Sequence, residues 1–186
     1  MALKVAGIEH QTVEINLRDK PPHMVRVSPK ATVPVLCVDQ DMIIDESLDI
    51  MCWALAQSDP LGWLTGADSP VAQQLLTQND GPFKRALDQY KYASRFPGTD
   101  PQVARTQAFQ ALIEPLARVL DTQPYIGGEA AVLQDVAIFP FVRQFASVEP
   151  AWFAESVPPC VRQWLAAWLE SPLFAAIMQK PPIKSV

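Results

Sequence analysis

Glycine is scarce in this sequence, with 7 residues against 18 prolines. Its one adjacent pair is Gly127-Gly128, and neither a GxGxxG nor a Walker pattern occurs, which argues against a phosphate-cradling loop. The two histidines, His10 and His23, have no partner at ligand spacing, so they are expected at the surface and no metal site is expected. Three cysteines, Cys37, Cys52 and Cys160, are too few and odd in number for a disulfide framework. They read as reduced, buried structural thiols in a cytoplasmic protein. Basic charge is in deficit, 15 residues against 20 acidic for a net −5, which argues against non-specific nucleic-acid binding. No apolar run approaches the ~18–20 residues of a membrane span. Met1–Glu9 is too short and mixed for a signal peptide. What is abundant is apolar material, 49% of the chain, enough for a real core.

The first 57 residues read differently from the rest. Val13, Ile15 and Leu17 alternate with Thr12, Glu14 and Asn16, the period of a half-buried strand. Val33–Val38 is a continuous apolar run that reads as a buried strand, holding Cys37. Asp39-Gln40-Asp41 then breaks the chain before Met42-Ile43-Ile44, which predicts a hairpin. Ser47 is a good helix cap, and Leu48, Met51, Cys52 and Leu55 follow at helical spacing. Residues 58–66 read as a linker. Residues 67–186 read as all-helical: a long segment over about 69–95 with a break near Asp80-Gly81-Pro82, and a helix capped by Asp100 with Pro101 in its first turn. That helix carries the stripe Phe109, Leu112, Ile113, Leu116 and Leu120, and Pro115 inside the stripe predicts a bend. Further helices are expected over Leu133–Ala146 and from Pro159 through Trp168, with a last short turn from Pro172. The prolines thus serve mainly as helix starts, stops and kinks.

Two features of the first unit suit a small peptide-like ligand. A proline opening a strand, as in Thr32-Val33-Pro34-Val35, lacks a ladder donor. One solution is a cis Val33–Pro34 bond in a turn, which leaves the Val33 N–H and C=O to an extended ligand; the other is a trans proline starting an edge strand. The second feature is Asp45-Glu46-Ser47 at a strand-to-helix junction. Backbone N–H groups there favour a carboxylate, the Ser47 hydroxyl adds a hydrogen bond, and Glu46 can accept from an ammonium group. The same residues also serve as an ordinary helix start with acidic first-turn side chains.

Together, Ser28-Pro29-Lys30-Ala31-Thr32-Val33-Pro34-Val35-Leu36 and Asp45-Glu46-Ser47-Leu48-Asp49-Ile50 resemble the glutathione-binding half of the glutathione S-transferases. Asn79–Lys84 and Leu87–Tyr92 are similar to a helix of bacterial omega-like members. Gly128-Glu129 through Asp135 to Phe141 resembles the folding motif of that family's helical domain. The resemblance spans nearly the whole chain. It implies an α/β plus all-α architecture: a thioredoxin-like domain over 1–57, lacking its first strand, followed by a helical domain. It also implies a homodimer acting on glutathione and a small electrophile or disulfide, with no metal, nucleic-acid or membrane partner. Residue by residue, Val33 beside cis-Pro34 would pair with the cysteinyl part of glutathione. Glu46 and Ser47 would hold the γ-glutamyl end, and Lys30 would contact the glycyl carboxylate. Tyr90, Tyr92 and Phe96 stand where they would line an electrophile pocket or serve as plain helix packing.

The chain departs from that pattern in two places. Val132 stands where a Ser or Thr normally caps the motif's helix, so half of the capping box is lost, and Asp135 is expected to be buried on backbone N–H groups. The larger departure is the family's first strand and the loop carrying its catalytic Cys, Ser or Tyr, which precede the helix matched by Met1–Gly7. No catalytic residue is therefore assigned. Allowing about 5–6 residues for a strand, plus a loop and the first turns of a helix, roughly 15–25 residues are expected ahead of Met1. The chain alone would supply the binding half of a glutathione site, for conjugation or mixed-disulfide reduction, or a non-catalytic glutathione-binding or interaction scaffold. Its sheet is expected to show three strands with a gap, a re-paired hairpin or a borrowed strand.

Overall fold

The computed structural model describes residues 1–16, 19–39 and 41–179. The chain divides into two compact units, Met1–Gly62 together with residues from Ile177 on, and Trp63–Ala176.

The first unit contains α1 (Ala2–Val5), α2 (Pro22–Val27), β1 (Leu36–Cys37), β2 (Ile43–Ile44) and α3 (Ser47–Gln57). The strands pair antiparallel, Leu36 with Ile44 and Cys37 with Ile43. The Asp39 carboxylate closes their turn, accepting the N–H groups of Asp41 and Met42 at 2.8 Å each. These bonds to the charged form hold its pKa below the ordinary carboxylate value. α1 packs on α3, burying Ala2, Ile50, Ala54 and Leu55.

Three expectations for this unit are corrected. Residues 12–16 form no strand and Val13 is 64% exposed; Leu17 lies outside the described residues. Alternation supplies a face but no partner, and a strand without a ladder neighbour leaves its backbone groups to water. The run Val33–Val38 is strand only at Leu36–Cys37, and Cys37 is exposed. Its side chain alternates away from half-buried Leu36, on the face shared by exposed Ile43. The N-cap of α3 is Glu46, with Ser47 as the first helical residue and no side-chain cap bond. Helix α2, with Pro22 in its first turn, was not expected from the sequence.

The second unit is helical: α4 (Pro70–Gln78), a π-turn (Asn79–Phe83), α5 (Lys84–Lys91), a 3-10 turn (Ala93–Arg95), α6 (Pro101–Ala108) and a second π-turn (Phe109–Ile113) come first. After them come α7 (Glu114–Leu120), α8 (Leu133–Val148), α9 (Pro150–Ser156), α10 (Pro159–Glu170) and α11 (Pro172–Met178). Asp100 caps α6 as expected, accepting the Gln102 N–H at 2.8 Å, and Ser69 caps α4. The break near Pro82 and the bend near Pro115 take one form. A proline inside a helix lacks an N–H and clashes with the carbonyl four residues back, and a π-turn widens the helix locally to accommodate it. The two π-turns pack against each other. Proline opens α2, α4, α6, α7, α9, α10 and α11 in their first turns, which accounts for much of the proline excess.

Asp135 organises this core. It is fully buried, and its Oδ1 accepts the Ile126 N–H at 3.0 Å and the Trp164 indole N–H at 2.8 Å. Its Oδ2 accepts the Val132 N–H at 2.9 Å. Val132 has no side-chain oxygen to complete the box, and its methyl group packs over Gly127, where any Cβ would also meet the Ala130 carbonyl at 2.6 Å. Gln134, also fully buried, donates to the Ala67 carbonyl at 2.7 Å and ties α8 to the segment before α4.

Burial pushes the Asp135 carboxyl up from the ordinary carboxylate value, against the pull of its donors. A carboxyl with a higher pKa folded than unfolded stabilises the fold less once ionised. Its contribution therefore falls as pH rises from about 4 through the folded value. Asp135→Asn retains one acceptor oxygen but turns its NH2 toward a backbone N–H, and a loss of about 1–3 kcal/mol is expected in urea unfolding at neutral pH. The deficit should widen on acidification, because only the wild type gains from protonation. A deficit independent of pH would contradict the assignment.

Candidate functional site

The candidate site is built where the segment after α2 meets the junction of β2 and α3. Ser28 ends α2 with its N–H on the Met24 carbonyl at 2.9 Å and is buried. Its hydroxyl donates to Asp45 Oδ2 at 2.9 Å. Two residues on, Lys30 Nζ donates to Asp45 Oδ1 at 3.2 Å and to Glu46 Oε1 at 2.8 Å. The Ser28 hydroxyl, and after it Lys30, hold the Asp45 carboxyl below its ordinary value, while Glu46 and then Asp45 raise Lys30. Asp45 and Ser28, absent from the residues assigned to the site above, are thus what fixes Lys30. The signal was present in the sequence as a Ser two residues before a Lys and an Asp beside the expected Glu.

The Val33–Pro34 bond is cis, the first of the two geometries left open by the sequence. Val33 is 48% exposed, and its N–H and C=O enter no hydrogen bond among the described residues. Pro34 and Val33 stand two and three residues before β1, and Glu46 and Ser47 two and three residues after β2, at the same end of the hairpin. The first bond of α3 runs from the Ile50 N–H to the Glu46 carbonyl at 3.0 Å, so the amides of Ser47, Leu48 and Asp49 precede it, beside the exposed Ser47 side chain. The structure therefore brings Lys30 and Glu46 into contact, with Val33, Pro34 and Ser47 at the same end of the hairpin.

The three aromatic candidates lie in the other unit. Tyr90 is a core residue, 5% exposed, with its ring 5.6 Å from that of Phe145. Its hydroxyl faces the Arg105–Glu149 ion pair, and burial, then Glu149, pushes its pKa up to about 12. Tyr92, half-buried at the end of α5, lies under Lys91 and Arg95 at 4.9 and 4.3 Å from its ring centre. Phe96 is half-buried after the 3-10 turn. Both histidines are exposed. No group of three or more His, Cys, Asp or Glu residues is placed to hold a metal among the described residues, and no described helix is long and apolar enough to cross a membrane.

Against the expectation of three buried thiols, Cys37 is exposed while Cys52 and Cys160 are half-buried. Burial, then Asp49, raises the Cys52 thiol, and the Cys160 thiol faces the Ala117 carbonyl at 3.6 Å. A thiol reagent is therefore expected to label Cys37 first and Cys52 more slowly, as read by mass spectrometry of the native protein. Uniform labelling would contradict this order. A carboxyl with a depressed folded pKa stabilises the fold above its ordinary range, and that contribution is lost as pH falls through the depressed value. Ser28→Ala should therefore move the Asp45 titration midpoint upward toward its ordinary value in an NMR titration. An unmoved midpoint would show that Lys30 alone sets it.

Residues 1–57 match the family model for the N-terminal domain of glutathione S-transferases, and residues 92–167 match that for the C-terminal domain. Glutathione S-transferase omega-1 of Sus scrofa is 25% identical over 197 residues, covering 97% of this chain and 75% of its own length. The omega-1 protein of Rattus norvegicus is 26% identical over 178 residues, covering 93% and 71%. A glutathione transferase of Phanerochaete chrysosporium in complex with oxidized glutathione superposes with a TM-score of 0.77 at 18% identity, over 95% of this chain and 86% of its own. A family member from Pseudomonas fluorescens with two glutathione bound superposes at 0.75 and 21% identity, over 94% and 84%. Two domain models in the family's order, and one fold along almost the whole chain, agree. The chain belongs to the glutathione S-transferase family, with a thioredoxin-like domain followed by a helical one.

Proposed function

We propose that this chain binds glutathione across the open end of its β1–β2 hairpin, as co-substrate for conjugation to an electrophile or for exchange with a mixed disulfide. The observation that carries the reading is that Val33, its N–H and C=O both unused among the described residues, stands at the same end of the hairpin as Glu46 and Ser47 at the start of α3. An extended tripeptide needs a backbone donor and acceptor in its middle and charged partners at its γ-glutamyl end. Val33 offers the first, while the Glu46 carboxylate, the Ser47 hydroxyl and the α3 amides offer the second. The glutathione bound in the similar Phanerochaete and Pseudomonas structures supports the choice of ligand.

In this reading Val33 fixes the cysteinyl residue, Glu46 accepts from the ligand ammonium, and Ser47 with the first α3 amides takes a carboxylate. Tyr92 and Phe96 are the aromatic candidates for the electrophile, and Tyr90 is a core residue. The assembly expected with this function is a homodimer in the cytoplasm.

Retention on immobilised glutathione and calorimetric titration test the assignment. Removing a hydrogen bond to a charged group costs about 1.5–3 kcal/mol. Glu46→Ala and Ser47→Ala are thus each expected to weaken binding by about 10- to 100-fold while the circular dichroism spectrum stays unchanged. Undiminished affinity in both variants would place the ligand elsewhere. Binding without conjugation or disulfide reduction would favour the same fold used as a non-catalytic glutathione-binding scaffold.

A further inference from the structure

We propose that Lys30 belongs to the γ-glutamyl end of this site, where it and Glu46 together read a free α-amino-acid head group, Lys30 taking the α-carboxylate and Glu46 the α-ammonium. The inference rests on the glutathione reading and revises the place expected for Lys30 at the glycyl carboxylate. Lys30 Nζ lies 2.8 Å from Glu46 Oε1, the group that would receive the ligand's ammonium. The two protein charges thus form an internal pair of the same signs as the head group. A zwitterion entering between them exchanges one ion pair for two and leaves no charge unpaired. Both side chains are open to such a ligand, at 55% and 60% exposure, and an exposed pair of this kind is worth little, so separating it opposes binding only weakly.

Lys30 is also held at this end. Its second partner is Asp45 Oδ1 at 3.2 Å, and the other oxygen of Asp45 is fixed by the buried Ser28 hydroxyl at 2.9 Å. When Glu46 turns to the ligand, Lys30 keeps Asp45 and stays beside the start of α3. The glycyl carboxylate lies beyond the cysteinyl residue. At about 3.3–3.6 Å of extended chain per residue, it is roughly 7–10 Å from the γ-glutamyl group and away from an ammonium tethered to Asp45. The specificity that follows is for γ-glutamyl peptides with a free head group, with tolerance of a neutral C-terminal end as far as Lys30 is concerned.

The test is a calorimetric titration of wild type, Lys30→Met and Lys30→Arg with three probes. These are glutathione, its glycyl ethyl ester, and an analogue in which γ-aminobutyryl replaces γ-glutamyl and so lacks the α-carboxylate. Lys30→Met is expected to weaken glutathione and the ester by the same factor, about 3- to 10-fold, and to leave the analogue unaffected. Lys30→Arg should restore most of the loss. A loss confined to glutathione and absent for the ester would return Lys30 to the glycyl carboxylate and overturn the proposal, as would equal affinity of wild type and Lys30→Met for all three probes. Failure of wild type to bind glutathione at all is a separate result, which overturns the ligand assignment and this proposal with it.

Discussion

Two rungs of antiparallel backbone, Leu36 with Ile44 and Cys37 with Ile43, carry the candidate site. Every residue named as holding glutathione lies within three residues of that ladder or is tied to it by Asp45. The turn is closed by one carboxylate, Asp39, which accepts the Asp41 and Met42 N–H groups. A shift of the register by one residue would reverse the faces of Leu36 and Cys37. The clamp of Ser28, Lys30, Asp45 and Glu46 then anchors the segment before the hairpin to the helix after it. A ladder this short is marginal by itself, and the side-chain bonds at its open end compensate for rungs it does not have.

Much of this was legible in the sequence, and the reasons are local. The hairpin was marked by two apolar runs around Asp39-Gln40-Asp41. The order of helices was marked by proline in first turns and by the stripe Phe109, Leu112, Ile113, Leu116 and Leu120, all of which are buried except half-buried Phe109. Asp135 was marked as a buried acceptor by its place in the segment that resembles the folding motif of the family's helical domain. The failures share a different character. Val13 and Ile15 have the alternation of a strand, but a strand is made by its neighbour, and sequence periodicity is silent on whether a neighbour is present. Cys37 was expected inside because its run is apolar throughout. Which face of a two-residue strand is covered depends on what packs against it, and that is a tertiary fact. The π-turns at Asn79–Phe83 and Phe109–Ile113 were visible only as prolines that had to be accommodated. A kink and a widened turn relieve the same clash, and the sequence does not distinguish them.

The site itself was half legible for an electrostatic reason. Glu46 and Ser47 announce themselves by type at a helix start, and Val33 by standing before a proline. The pairing of Lys30 with Asp45 and Glu46 spans 15 and 16 residues and requires the chain to turn back after α2. Only when Ser28 is seen to be buried with its hydroxyl on Asp45 does the lysine acquire a direction. The charge pattern then reads as a matched set. One cation and two anions stand at the end proposed to accept one cation and one anion, so the complex would gain partners without accumulating charge.

Binding and turnover are separable at such a site. A free thiol with a pKa near 8.5 is only a few per cent thiolate at neutral pH, and its attack on an electrophile or disulfide proceeds through that fraction. In the proposed site the backbone of Val33 and the charged groups at the start of α3 would hold the termini and amides of a tripeptide rather than its sulfur. Lowering the thiol pKa demands a donor or positive charge directed at the sulfur itself. The three cysteines of the chain do not meet that need. Cys37 lies on the exposed face of the hairpin, Cys52 is raised rather than lowered by its surroundings, and Cys160 faces a backbone carbonyl. In this reading the hairpin end is an element of recognition. The rate it supports depends on how far the bound sulfur is ionised by a group other than those that hold the ligand in place.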